Sequence, residues 1–208
     1  MVKVLAPALS LEASGSLGGA LVFATWKGRP YVRTLVKPSN PNTPMQVGIR
    51  QMMKFLGQQW DAIKTAYESS WQELADNKNI SPFNAYVGTN MAAWRSGSSP
   101  TMEYPPEVAM SATTIDTFSA AAGPRNIAVS YALTASADQW GVILCRSDLT
   151  GFTPSWANAI AIIYTHDTDE HVYVDAPLEA GEYFYRMAAF TQDGVTGTFK
   201  GEITDTVV

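Results

Sequence analysis

The residues able to do chemistry are few, and most sit in one short stretch. Both histidines fall within Tyr164-Thr-His-Asp-Thr-Asp-Glu-His171. There His166, Asp167, Asp169, Glu170 and His171 gather the nitrogen and oxygen donors that ligate divalent metals. Their spacing matches neither a helical histidine pair nor a calcium loop. The stretch therefore reads as a solvated loop between strands, and no metal is expected. A serine nucleophile would depend on one of the same two histidines, and no Gly-x-Ser-x-Gly elbow is present. Cys145 ends the apolar run from Trp140, which predicts a buried, inert strand residue. As the sole cysteine it closes no intrachain disulfide. Residues 101–208 hold fourteen acids, but no pair is marked out for glycoside cleavage. The expectation is a non-enzymatic protein without a cofactor.

The cations are more informative. Between Trp26 and Trp60 lie six (Lys27, Arg29, Arg33, Lys37, Arg50 and Lys54) and no acid. On a strand, Arg29, Tyr31 and Arg33 share a face, with Trp26 nearby. Guanidinium groups suit carboxylate and phosphate alike. Trp26, Lys27, Arg29, Tyr31, Arg33, Lys37 and Arg50 thus form a candidate docking set for an acidic protein surface. A solvated hairpin face accounts for the same residues equally well. Nucleic acid ranks below both, because the whole chain carries a net charge of -5. That total hides an asymmetry: residues 1–100 have ten lysines and arginines against five acids, and residues 101–208 have four against fourteen. The two halves then face different neighbours. Charged residues are only 16% of the chain, a sparsity that fits a surface partly covered by other subunits. No apolar run approaches a membrane span, and the start lacks the continuous apolar region of a secretory signal, the stretch Ala6–Ala13 included.

Positioning these residues requires three kinds of element. Leu21–Trp26 and Tyr31–Val36 flank Lys27-Gly-Arg-Pro30 and predict a β-hairpin, with Gly15, Gly18 and Gly19 loosening its approach. Pro38–Pro44 reads as an extended connector. Thr43 before Pro44, and Ser81 before Pro82, are helix starts. The stripe Ile49, Met52, Met53, Leu56, Trp60, Ile63 is one helical face, and Tyr67, Trp71, Leu74 continue it. A capping box at Thr65-x-x-Glu68 places a new start there, although one unbroken helix fits too. Phe83, Tyr86, Val87, Met91 and Trp94 mark a last helix. The expectation is about three short helices whose aromatic stripe is core, with part of it free to pack on a neighbouring protomer. Ser96-Gly-Ser-Ser-Pro100 and Pro105-Pro106 then read as a flexible linker.

Beyond it, alternation in Ile127–Leu133 and Trp140–Leu144 begins a series of about seven strands, continued by Ala159–Tyr164, His171–Val174, Glu182–Phe190 and Val195–Ile203. Such spacing fits a β-sandwich. The predicted architecture is an α+β module over 1–97, a linker over 98–106 and an all-β sandwich over 107–208.

Two resemblances add to this. Leu178-Glu-Ala-Gly-Glu-Tyr183-Phe-Tyr-Arg-Met-Ala resembles the E–F corner of fibronectin type III and other Ig-like domains, with Pro105-Pro106-Glu107-Val108 as the usual beginning. The resemblance implies that Tyr183 is the tyrosine-corner residue, bonded back to the loop backbone. The string Gly18-Gly-Ala-Leu-Val-Phe-Ala-Thr-Trp-Lys-Gly-Arg-Pro-Tyr-Val-Arg33, then Lys37-Pro, Asn40-Pro-Asn-Thr-Pro44, Gln46, Arg50, Trp60, Trp71, Ala75, Phe83-Asn-Ala-Tyr86-Val and Asn90, is similar to a family of tailed-phage virion accessory proteins. That similarity implies a bacteriophage structural protein, assembled into the virion as a capsid decoration, head fibre base or tail-associated subunit. Its implied partners are other capsid or tail subunits, within a homo-oligomer such as a trimer. The competing expectation is a module binding glycans or a host surface through sandwich loops, with Phe152 and Trp156 as contacts.

Overall fold

The computed structural model describes residues 2–3, 15–37, 42–106, 111–135 and 138–208. The stretch Ala6–Ala13, residues 38–41 of the connector and residues 107–108 lie outside the described residues. The chain divides into two units, Met1–Pro41 and Asn42–Val208.

The first unit is a small antiparallel sheet. β1 (Val2–Lys3), β2 (Gly15–Leu17), β3 (Leu21–Trp26) and β4 (Arg29–Thr34) lie in the order β1-β4-β3-β2. Trp26 pairs with Arg29 across a two-residue turn, Lys27 and Gly28, at φ 50° and 72°. Two successive left-handed residues match the right-handed twist of the flanking strands, so Gly at the second position removes the Cβ penalty. Gly18 and Gly19, at φ 58° and 68°, close a second turn between β2 and β3. These glycines therefore form a hairpin turn of their own rather than loosening an approach.

The second unit begins with two helices, not three. α1 spans Pro44–Lys78 without interruption and α2 spans Pro82–Arg95. Thr43 caps α1 by accepting from the Gln46 amide, and Ser81 caps α2 by accepting from the Asn84 amide. The capping box at Thr65 is not used. No Pro or left-handed residue interrupts the ladder there, so the helix continues through it. It ends at Asn79 (φ 52°), where Ile80 N–H bonds back to the Ala75 carbonyl.

The expected linker is instead a packed strap. Ser99 and Pro100 are buried, and Thr101 bridges to Asp193. Asn90, buried on α2, donates to the Thr101 carbonyl at 2.9 Å and accepts from its amide at 2.8 Å. Trp71 Nε1 donates to the Met102 carbonyl at 2.8 Å. Small and Pro-rich residues signalled irregular backbone correctly, but from Ser99 to Met102 it is hydrogen-bonded to α1, α2 and the segment after β10.

Among the described residues seven strands follow: β5 (Ile115–Gly123), β6 (Asn126–Leu133), β7 (Gln139–Ser147), β8 (Ala159–Tyr164), β9 (His171–Asp175), β10 (Gly181–Thr191) and β11 (Ile203–Val207). They form a three-stranded sheet, β5-β6-β9, and a four-stranded sheet, β11-β10-β7-β8. The last strand lies later than expected. Residues 195–200 run beside β10 irregularly, with Gly197 N–H on the Ala189 carbonyl, and regular pairing resumes only at Ile203.

Two cores share the four-stranded sheet. Val129, Tyr131, Val142, Leu144, Tyr185 and Met187 fill the space between the sheets. On the outer face, Trp140, Ile143, Cys145, Ile162 and Phe190 pack against Met52, Phe55, Leu56 and Trp71 of α1 and Tyr86 of α2. β7 is therefore buried on both faces from Gln139 to Cys145. This corrects the expected boundary near residue 98. Most of the helical stripe is covered by the chain's own sandwich, so helices and strands form one unit, while Met53 and Phe83 of the stripe stay exposed.

Candidate docking surface

In the first unit, β4 places Arg29, Tyr31 and Arg33 on one face, and pairing adds Trp26, Ala24 and Val22 of β3 to it. The opposite face carries Leu17, Leu21, Phe23 and Val32. Arg29, Arg33, Lys27 and Lys37 are all exposed, and residues 15–37 contain no acid. Trp26 is 65% exposed, with Lys27 Nζ 4.9 Å from the centre of its ring. Tyr31 is half-buried. Arg50, the remaining member of the set, belongs to the second unit. It lies on α1 and donates from Nη1 to Asn42 Oδ1 at 2.6 Å. Within the first unit, among the described residues, no helix or second sheet covers either face of the four strands.

The histidine-rich loop is organised around Asp167. Its Oδ1 sits 2.7 Å from His171 Nε2 and accepts from the Asp169 amide at 3.2 Å. The hydrogen bond from His171 holds the Asp167 carboxyl below the usual carboxylate range. His166 turns away and stacks on Tyr164, ring centres 4.8 Å apart. Among the described residues no three His, Cys, Asp or Glu side chains converge as metal ligands. Cys145 is fully buried near the Ser155 carbonyl, and burial pushes its thiol up to about 12, far from a reactive thiolate.

Phe152 and Trp156 lie on the loop between β7 and β8. Both are half-buried and pack into the core between helix and sheet, and the Arg186 guanidinium lies 5.7 Å from the Phe152 ring centre. Tyr183 Oη donates to the Glu179 carbonyl at 3.2 Å, and its ring lies under Arg146.

One constellation escaped the sequence. Arg146 Nη1 donates to Asp175 Oδ2 at 2.7 Å, and Tyr185 Oη donates to the same oxygen at 2.9 Å. Asp175 is buried, and burial together with its charge pushes the Tyr185 phenol well above the ordinary tyrosine value. The three residues come from β7, β9 and β10, so spacing along the chain carries no trace of them. The only available hint is an acid closing an apolar strand at Val174-Asp175. The network is mostly buried and ties β9 of one sheet to β7 and β10 of the other, which suits it to fixing how the sheets stack.

A groove of about 370 Å³ runs between α1 and the edges of β8 and β9. Gln51, Gln58, Tyr164, His171 and Tyr173 line it. No helix of the described residues is long and apolar enough to cross a membrane.

No family model matches the chain, and no curated protein does. Among solved structures it is similar to a Fn3-like protein from Clostridium thermocellum, at 18% identity and a TM-score of 0.35, over 46% of this chain and 92% of that one. It is also similar to a β-1,2-glucanase from Parabacteroides distasonis, at 18% identity and a TM-score of 0.36, over 49% of this chain and 13% of that one. Likenesses this distant say nothing of activity.

Proposed function

We propose that this chain is a non-enzymatic structural component of a tailed-phage particle, held to an acidic partner subunit by its first unit and displaying its second. One observation carries the reading. A four-stranded sheet with four exposed cations, an exposed tryptophan and no acid over residues 15–37 has no covering layer among the described residues of its unit. A sheet of this size buries one face to be stable, and the described residues of its unit supply no layer to bury it against. The cationic face, with Trp26 on it, suits an acidic partner surface, and the opposite apolar face suits a separate apolar contact. The phage assignment itself rests on the ordered string of residues 18–90. The sandwich is read as the fibronectin type III kind. The strand orders β5-β6-β9 and β8-β7-β10-β11, with the Tyr183–Glu179 bond, support that reading.

The test uses the full chain, wild type and R29E/R33E, offered to purified phage particles that lack it. Wild type should co-sediment with the particles, and the charge-reversed chain should stay in the supernatant. Equal retention of both would remove the cationic face from the docking role.

A second reading, a glycan-binding display module, draws support from the groove beside α1. Gln51 and Gln58 offer planar amides and Tyr164 an exposed ring, the groups that grip sugar hydroxyls and sugar faces. Binding on an array of neutral oligosaccharides, lost in Q58A/Y164A, would favour it.

A further inference from the structure

The second unit carries its own cationic hollow in an otherwise acidic body. Residues 42–208 hold nine lysines and arginines against eighteen acids. Where the first turns of α1 meet the end of α2, a basin of about 520 Å³ is lined by Met45, Ile49, Met91 and Trp156, with Arg50 and Arg95 among its walls and no acid in the lining. Met45 is 57% exposed although it sits beside other apolar side chains. Methionine, tryptophan and arginine together are the composition enriched at protein interfaces, and methionine adapts its shape to a knob. Arg95 is exposed and makes no ion pair among the described residues.

The same chain presents a matching knob. Leu149 is 69% exposed on the turn after β7, and Asp148 beside it is exposed as well. The turn is held in place. Glu202 accepts from Thr150 Oγ1 at 2.9 Å and from the Gly151 amide at 2.9 Å, and Leu149 N–H donates to Ser147 Oγ at 3.0 Å. A knob fixed before association loses little freedom on binding. Leu149 does not line the basin of its own copy.

We propose that a second copy of this chain seats its Leu149 in this basin, with the Asp148 carboxylate against the Arg95 guanidinium. Each copy carries both halves, so the contact closes as a reciprocal pair or a small ring. It uses only the second unit and stands apart from the docking of the first, so R29E/R33E should leave it unchanged.

Sedimentation equilibrium of the full chain tests it. The weight-average mass should rise above the single-chain 22.6 kDa with concentration. L149D and, separately, M45D should each weaken association about tenfold or more. Mixing the two variants should restore a pair, because the intact basin of one receives the intact Leu149 of the other. D148R should weaken association, and D148R/R95D should recover it. Both residues of the swap are exposed, so it carries the test even if an apolar variant misfolds. A mass of 22.6 kDa at every concentration would overturn the proposal. So would self-association indifferent to L149D, which would assign the contact to another surface, or failure of D148R/R95D to recover what D148R lost.

Discussion

Asp175 holds two polar partners of the sandwich interior together. It answers a guanidinium and a phenol at once, and Arg146 keeps 30% of its side chain in solvent while Asp175 keeps 9%. Removing the carboxylate strands a partly buried cation. A fully enclosed pair would lose about 3–5 kcal/mol, and the exposure of Arg146 brings the expected cost of D175A to about 2–3 kcal/mol. Y185F removes one hydrogen bond to a charged acceptor and should cost about 1–2 kcal/mol. Urea denaturation midpoints check both. Glu202 gives a pH signature. Hydrogen bonds from the Gly151 amide and then Thr150, with the nearby Arg186 charge, hold its carboxyl below the ordinary value of 4.5. A depressed folded-state value means the contribution is complete above 4.5 and disappears as pH falls through the folded value. E202Q should therefore be less stable than wild type near neutrality, and the gap should close in acid. Single residues of this kind were only partly legible beforehand. Cys145 was readable as a buried residue because it closes the apolar run that starts at Trp140. Asp175 was not, because its partners lie on strands that only the fold brings together.

Helix caps and strand alternation were the most readable features, since each depends on a few adjacent residues. Thr43-Pro44, Ser81-Pro82 and the Ala159–Tyr164 strand are local patterns with local causes. The mid-helix capping box misled for a related reason. Thr65 and Glu68 suit a start, but a start also needs the preceding turn to end, and residues 57–64 contain nothing that ends it. Two glycines of α1 test how the helix is seated. A Cβ at Gly48 would fall inside the backbone carbonyl of Trp156, whereas one at Gly57 would meet nothing within 4 Å. G48A should cost about 1–3 kcal/mol by prising α1 from the sheet. G57A should instead stabilise by about 0.5–1 kcal/mol, through helix propensity alone. Thermal unfolding of the two variants should move in opposite directions.

At the scale of the whole molecule, the division at Pro41 rather than near residue 98 follows from where apolar surface is buried. Composition marked 96–106 as a break because serine, glycine and proline are shared by linkers and straps, and only hydrogen-bond partners tell them apart. Residues 42–208 contain both cores and should unfold in one transition within a few degrees of the full chain, as calorimetry can check. Residues 111–208 alone should aggregate. They would bare Trp140, Ile143, Cys145, Ile162 and Phe190 on the outer side of β7 and its neighbours. Sandwiches of this size are often passed between proteins as interchangeable beads. With a central strand roofed on both sides, this one has lost that portability: whatever recombination moves the sandwich must carry its two helices along.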